Sequence, residues 1–151
     1  MESAPTPGQA EKPPILVSAC LLGVACTHRG ESKTNELVQR LSAVARLIPI
    51  CPEVAGGLPI PRPSAELGPD GRVRTAAEDD VTGFYQRGAD DAVALARREG
   101  ISRAVLKARS PSCGSREIYD GTHTGVLIEG EGVTAAALRR AGVEVVSEED
   151  L

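Results

Sequence analysis

Four short, continuous apolar runs, three of them leading into a cysteine, constrain this chain more than any other feature. Ile15-Leu16-Val17-Ser18-Ala19 stops at Cys20, and Leu47-Ile48-Pro49-Ile50 stops at Cys51. Arg103-Ala104-Val105-Leu106-Lys107-Ala108 leads through Ser110-Pro111-Ser112 to Cys113, and Val143-Glu144-Val145-Val146 is the fourth run. Runs this short, with little polar alternation, suit strands of a parallel sheet covered on both faces. Pro49 has no N–H to donate, which makes the second strand irregular or places it near an edge. Between the runs lie helical patterns. Asn35 to Leu47 repeats Leu37, Val38, Leu41, Val44 and Ala45 at three- and four-residue spacing. Asp79 to Glu99 sets Val81, Phe84, Ala92, Val93 and Ala96 on one side, with Asp79 and Asp80 as N-terminal residues and Gly100 as a stop. Thr134 to Ala141 ends at Gly142.

Alternation of strand and helix predicts an α/β architecture: a single-domain, three-layer Rossmann-like fold with a mainly parallel sheet of about four strands. The domain is expected over residues 15–151, a length sufficient for one sizeable core. Met1 to Pro14, rich in Pro, Ala, Gly and charge, reads as a disordered tail without the basic start and apolar core of a secretory signal. The stretch from Pro52 to Glu78 holds five of the eleven prolines and has no clear period, which predicts a long functional loop or lid. No apolar run approaches the roughly 20 residues that span a bilayer, so no membrane partner is expected and a cytoplasmic location is.

In a reducing compartment, four cysteines point to thiols, metal ligands or catalysis rather than disulfides. Cys20, Cys51 and Cys113 each fall at or just beyond the carboxyl end of a predicted strand, and a parallel sheet gathers those ends on the edge where such folds bind ligands. Three buried hydrophobes would be the plain reading, since cysteine often packs that way; equivalent placement at three strand ends favours convergence. Zinc sites usually draw on closely spaced pairs, and here Cys20 and Cys26 stand in a C-x5-C spacing. Ligation by distant thiolates suits an iron–sulfur cluster, with zinc still open. Cys26 is either a fourth ligand, closing the centre, or no ligand, leaving one iron able to act as a Lewis acid.

The neighbours of these cysteines favour the open site. Glu53, two residues after Cys51, is placed to act as a general base, against the alternative of a solvated loop carboxylate. Ser110 and Ser112 either contact substrate and relay a proton or cap the turn before Cys113. Gly114 allows close backbone approach, with N–H groups available to cluster sulfurs. Gly56-Gly57 reads as a plain turn, Arg62 and Glu66 as a surface ion pair, and Tyr119-Asp120-Gly121-Thr122 as a turn with Asp-Gly at its tip. His28 and His123 lie in polar loops and are weak ligand candidates. Lys107 and Arg109 offer charge near the third cysteine. Nucleic acid is not an expected partner: 17 basic residues face 21 acidic ones, net −4, and Phe84, Tyr85 and Tyr119 are too few for a stacking platform.

At these residues the chain resembles a known family. Val17-Ser18-Ala19-Cys20-Leu21-Leu22-Gly23, Cys51-Pro52-Glu53-Val54-Ala55-Gly56-Gly57-Leu58-Pro59, Ser110-Pro111-Ser112-Cys113-Gly114 and Ile118-Tyr119-Asp120-Gly121 are similar to the motifs of the thiouracil desulfurases, long known only as a domain of unknown function. The resemblance covers about residues 15 to 149. It implies a [4Fe–4S] cluster held by Cys20, Cys51 and Cys113 with one iron free, an acid–base role for Glu53 and an active-site role for Ser110. The implied partner is a small thiolated base such as 2-thiouracil, converted to the oxo base and sulfide. Where family members often carry Cys-Arg-Tyr-Asp-Gly, this chain has Cys26-Thr27-His28-Arg29-Gly30, a departure that bears on the substrate more than on the cluster. Two other classes stand beside this one: an electron carrier using Cys26 as fourth ligand, and a zinc-stabilised binding module.

Overall fold

The computed structural model describes residues 12–151. A four-stranded, wholly parallel sheet forms its centre: β1 (Pro14–Ser18), β2 (Arg46–Ile50), β5 (Arg103–Leu106) and β8 (Glu144–Ser147), in the order β2-β1-β5-β8. These are the four predicted runs, displaced by a residue or two. Pro49 pairs with Val17 on the outermost strand, where its missing donor costs no ladder bond. The expected tail falls largely outside the described residues, but its boundary moves. Pro14 opens β1, Pro13 accepts from Arg46 N at 2.9 Å, and Lys12 Nζ donates to Ser42 O at 3.1 Å.

Both faces of the sheet are covered, giving three layers. Leu16, Ala104, Leu106 and Val145 pack under α3 (Thr82–Glu99) and α4 (Val133–Arg140), against Ala92, Ala96, Ala135 and Leu138. Their sequence neighbours Ile15, Val17 and Val105 point the other way, onto Leu21, Val38 and Ala45. That second layer is thin: a 3₁₀ turn at Ala19–Leu22, then α1 (Glu36–Arg40) and a 3₁₀ turn at Leu41–Ala43. The predicted helix to Leu47 therefore stops early, because the parallel ladder with β1 claims Arg46 onward. Asn35 starts it as expected, its side chain accepting from Val38 N at 3.0 Å.

α3 also differs from its prediction at both its start and its face. Asp79 serves the preceding hairpin, its carbonyl accepting from Thr75 N at 3.0 Å, whereas Asp80 keeps the N-terminal role, its Oδ1 accepting from the N–H of Thr82, the first residue of α3, at 3.0 Å. The buried stripe is Tyr85, Ala89, Ala92 and Ala96, while Phe84 lies half-buried beneath Arg87. Alanines let the helix settle close to the sheet, and Gly88 lets another helix settle close to it. A Cβ at Gly88 would collide with Pro52 backbone, and one at Gly56 with Phe84 backbone. The one-turn helix α2 (Pro52–Ala55) thus lies directly against α3, and Gly56-Gly57 is a packing site as well as a turn.

The long middle stretch is not a structureless loop. It folds as α2 followed by an antiparallel hairpin, β3 (Ala65–Leu67) with β4 (Val73–Thr75). A second hairpin pairs β6 (Glu117–Tyr119) with β7 (Leu127–Glu129), so Tyr119 ends a strand and the connection runs to residue 126. The hairpins meet at Glu66, whose Oε1 accepts from Gly121 N at 3.0 Å and His123 N at 3.1 Å. No helix among the described residues is long and apolar enough to cross a membrane.

Candidate active site

The chain leaves β1 for β2 on one side of the sheet and later fills β5 and β8 on the other. The reversal opens a crevice at the carboxyl ends, the usual ligand position in such sheets. A cavity of about 600 Å³ lies there, and Cys20, Cys26, Cys51 and Cys113 all line it. Cys20 sits in the 3₁₀ turn after β1, Cys51 is the residue before α2, and Cys113 lies in the turn after β5. β1, β2 and β5 are adjacent strands, so residues far apart in sequence meet because their strands pair.

Burial, then the neighbouring Cys51, pushes the Cys20 thiol up to about 11, with Lys107 partly opposing. Burial, again followed by Cys51, pushes Cys26 up to about 12. Cys113 is pushed up to about 12 by burial, and the Ser18 hydroxyl works against that shift. Burial therefore disfavours the thiolate at Cys20, Cys26 and Cys113. The donor set is sulfur, drawn from separate elements. Thiols spread around one cavity fit a group with several metal atoms, each taking its own thiolate.

Glu53 projects from the first turn of α2 into the same cavity. Its Oε2 accepts from Arg62 Nε at 3.0 Å and from Tyr85 O–H at 2.9 Å. Arg62 is not a surface partner of Glu66. Its side chain is 3 % exposed, and it also donates to Cys26 O at 2.9 Å and Pro59 O at 3.2 Å. Glu66 pairs instead with His123, Nδ1 to Oε2 at 3.6 Å. Burial, then the Glu53 charge, holds Tyr85 firmly as the phenol. Sequence reasoning missed Tyr85, and its one signal was a hydroxyl among the alanines of the α3 stripe.

Ser110 and Ser112 have different roles. Ser110 Oγ accepts from Ser112 N and Cys113 N, both at 3.0 Å, so it shapes the cysteine turn while lining the cavity. Ser112 is fully buried, and its hydroxyl pairs with Thr134 Oγ1 at 2.8 Å and accepts from the Cys113 thiol at 3.9 Å. The N–H groups expected to serve cluster sulfurs are already committed, since Gly114 N donates to Ser110 O at 2.9 Å. Lys107 pairs with Glu148 at 3.2 Å and acts on Cys20 rather than Cys113, while Arg109 pairs with Glu149 at 2.8 Å. His28 and Arg29 also line the cavity.

An α/β protein with its thiols gathered at the switch point of a parallel sheet, beside a clamped carboxylate, is the class these features define. The chain belongs to the 2-thiouracil desulfurase family, whose pattern it matches over residues 15–150. It is 41% identical over 146 residues to the uncharacterized protein YbbK of Bacillus subtilis (strain 168), covering 91% of this chain and 97% of that one. Among solved structures it is similar to a [4Fe-4S]-dependent thiouracil desulfidase, TudS. That match has a TM-score of 0.87 and 48% identity, over 93% of each chain.

Proposed function

We propose that the cavity is the active site of a [4Fe–4S]-dependent desulfurase that converts a thiolated nucleobase such as 2-thiouracil to the oxo base and sulfide. The observation that carries this reading is the meeting of three strand-end thiols with Glu53 in one cavity. Cys20, Cys51 and Cys113 would hold the cluster. When bound, it supplies a Lewis acid at an iron free of protein ligation, suited to the soft thione sulfur.

The reaction adds water across the thione carbon and releases hydrogen sulfide, so no electrons change hands. Glu53 takes a proton from the attacking water and passes it to the sulfur, then carries the second proton from the new hydroxyl to the sulfur as the carbonyl forms and hydrogen sulfide departs. Ser110 uses its acceptor lone pairs on the cysteine turn and keeps its hydroxyl hydrogen for the bound base. Cys26 remains outside the ligand set. A second reading makes it the fourth ligand of an electron carrier, and its position on the same cavity supports that alternative.

Anaerobic reconstitution with iron and sulfide, followed by assay of sulfide release from 2-thiouracil and other thio-bases, tests the proposal. The reconstituted protein is expected to be coloured and active, and Glu53→Ala to keep its iron while losing about 100-fold or more in turnover. Undiminished turnover in Glu53→Ala removes that residue from the chemistry. A colourless protein holding zinc alone ends the cluster assignment.

A further inference from the structure

We infer that Arg62, together with Tyr85, is a positioning device that selects which oxygen of Glu53 works: Oε2 is clamped, and Oε1 is the oxygen that exchanges the proton. The inference rests on the proposed role of Glu53 and assigns that role to one atom. Both donors reach the same oxygen, Arg62 Nε at 3.0 Å and Tyr85 O–H at 2.9 Å. Oε1 has no hydrogen-bond partner among the described residues, and the carboxylate side chain is 15 % exposed beside the cavity. A carboxylate held through one oxygen cannot swing or exchange its two atoms, so the other is presented at a set angle.

Arg62 is itself immobilised. Its remaining nitrogens donate to Cys26 O at 2.9 Å and Pro59 O at 3.2 Å, tying two loops to one planar group. Lysine offers no such fork, so charge alone does not reproduce the geometry. Tyr85 projects from α3 and Glu53 from α2, and the two helices touch at Gly88 and Pro52. The phenol therefore fixes the carboxylate to the domain core and not to a loop.

The test uses reconstituted holoenzyme and 2-thiouracil, with iron content and visible absorption measured beside kcat and KM. Arg62→Gln is expected to keep the cluster and KM within about twofold, while kcat falls about 100-fold. Low concentrations of guanidinium should restore part of kcat, and Arg62→Lys should restore little. On a Glu53→Gln background the same substitution should add no more than about twofold, because the two residues act as one unit. Wild-type kcat in Arg62→Gln, or an equal loss in both backgrounds, overturns the clamp. Should Arg62→Gln lose its iron, Tyr85→Phe decides: about a tenfold drop in kcat at constant iron supports the clamp, and an unchanged kcat overturns it. Full turnover in Glu53→Gln is a separate failure, that of the catalytic carboxylate itself.

Discussion

Cys26 shows how one residue can share a cavity with the proposed ligands and still differ from them. It is 3 % exposed, and burial, then the neighbouring Cys51, raises its thiol. Yet its backbone has a separate task, since its carbonyl accepts from Arg62 Nη2 and from the Cys51 thiol at 3.6 Å. Cys26→Ser preserves that carbonyl and removes only the sulfur. Iron and sulfide content after reconstitution should match the wild type, whereas Cys20→Ala, Cys51→Ala and Cys113→Ala should each lose most of their iron. Iron loss in Cys26→Ser would turn the assignment toward the four-ligand carrier. Of the candidate site residues, Cys20, Cys51, Cys113 and Glu53 were legible because they stand at strand ends or beside them. Arg62 was not, because a guanidinium in a proline-rich loop reads as solvated until the fold buries it.

At the scale of elements, the contact between α2 and α3 positions Cys51 and Glu53. Alanine in place of a helical glycine ordinarily contributes about 0.5–1 kcal/mol through backbone entropy. At Gly88 the added methyl meets Pro52 backbone, which cannot move aside as a side-chain tip does, and overpacking of that kind costs about 1–3 kcal/mol. The collision outweighs the entropy, so Gly88→Ala should lower the unfolding midpoint and the iron retained per chain. Gly83 is the control. Its Cβ would meet only the tip of Arg87 at 3.5 Å, so Gly83→Ala should be neutral or gain up to about 1 kcal/mol by denaturant titration. A Gly88→Ala protein as stable as the wild type would show that α2 can shift freely. The two hairpins were illegible for a related reason: strands of three residues are too short to display a period, and cross-strand partners hold them, not local propensity.

Acid stability belongs to the whole molecule, because Asp80 joins the β3–β4 hairpin to α3. Its Oδ1 accepts from Thr82 N, its Oδ2 from Arg72 Nε at 2.8 Å, and Thr82 Oγ1 accepts in turn from Val73 N at 2.8 Å. The hydrogen bonds from Thr82, then Arg72, hold the carboxyl well below the usual carboxylate range. A carboxyl whose pKa is depressed by folding contributes its full stability above the unfolded value, and loses it as pH falls toward the folded one. Unfolding titrations from about pH 5 down to about pH 2 should show the midpoint falling. Asp80→Asn should be less stable near neutrality and less sensitive to acid, whereas an equal slope would remove Asp80 from the effect. By itself, the sequence determined the four core strands, their parallel class, the start of a helix at Asn35, the family, and the placement of three cysteines at strand ends. Those features are local, carried by apolar runs, turn residues and contiguous motifs. Tertiary structure alone decided that all four thiols share one cavity, that Tyr85 and not Phe84 faces inward, and that Arg62 grips Glu53. Those facts depend on strand order and on helices packed to backbone contact, which join residues that no local pattern connects.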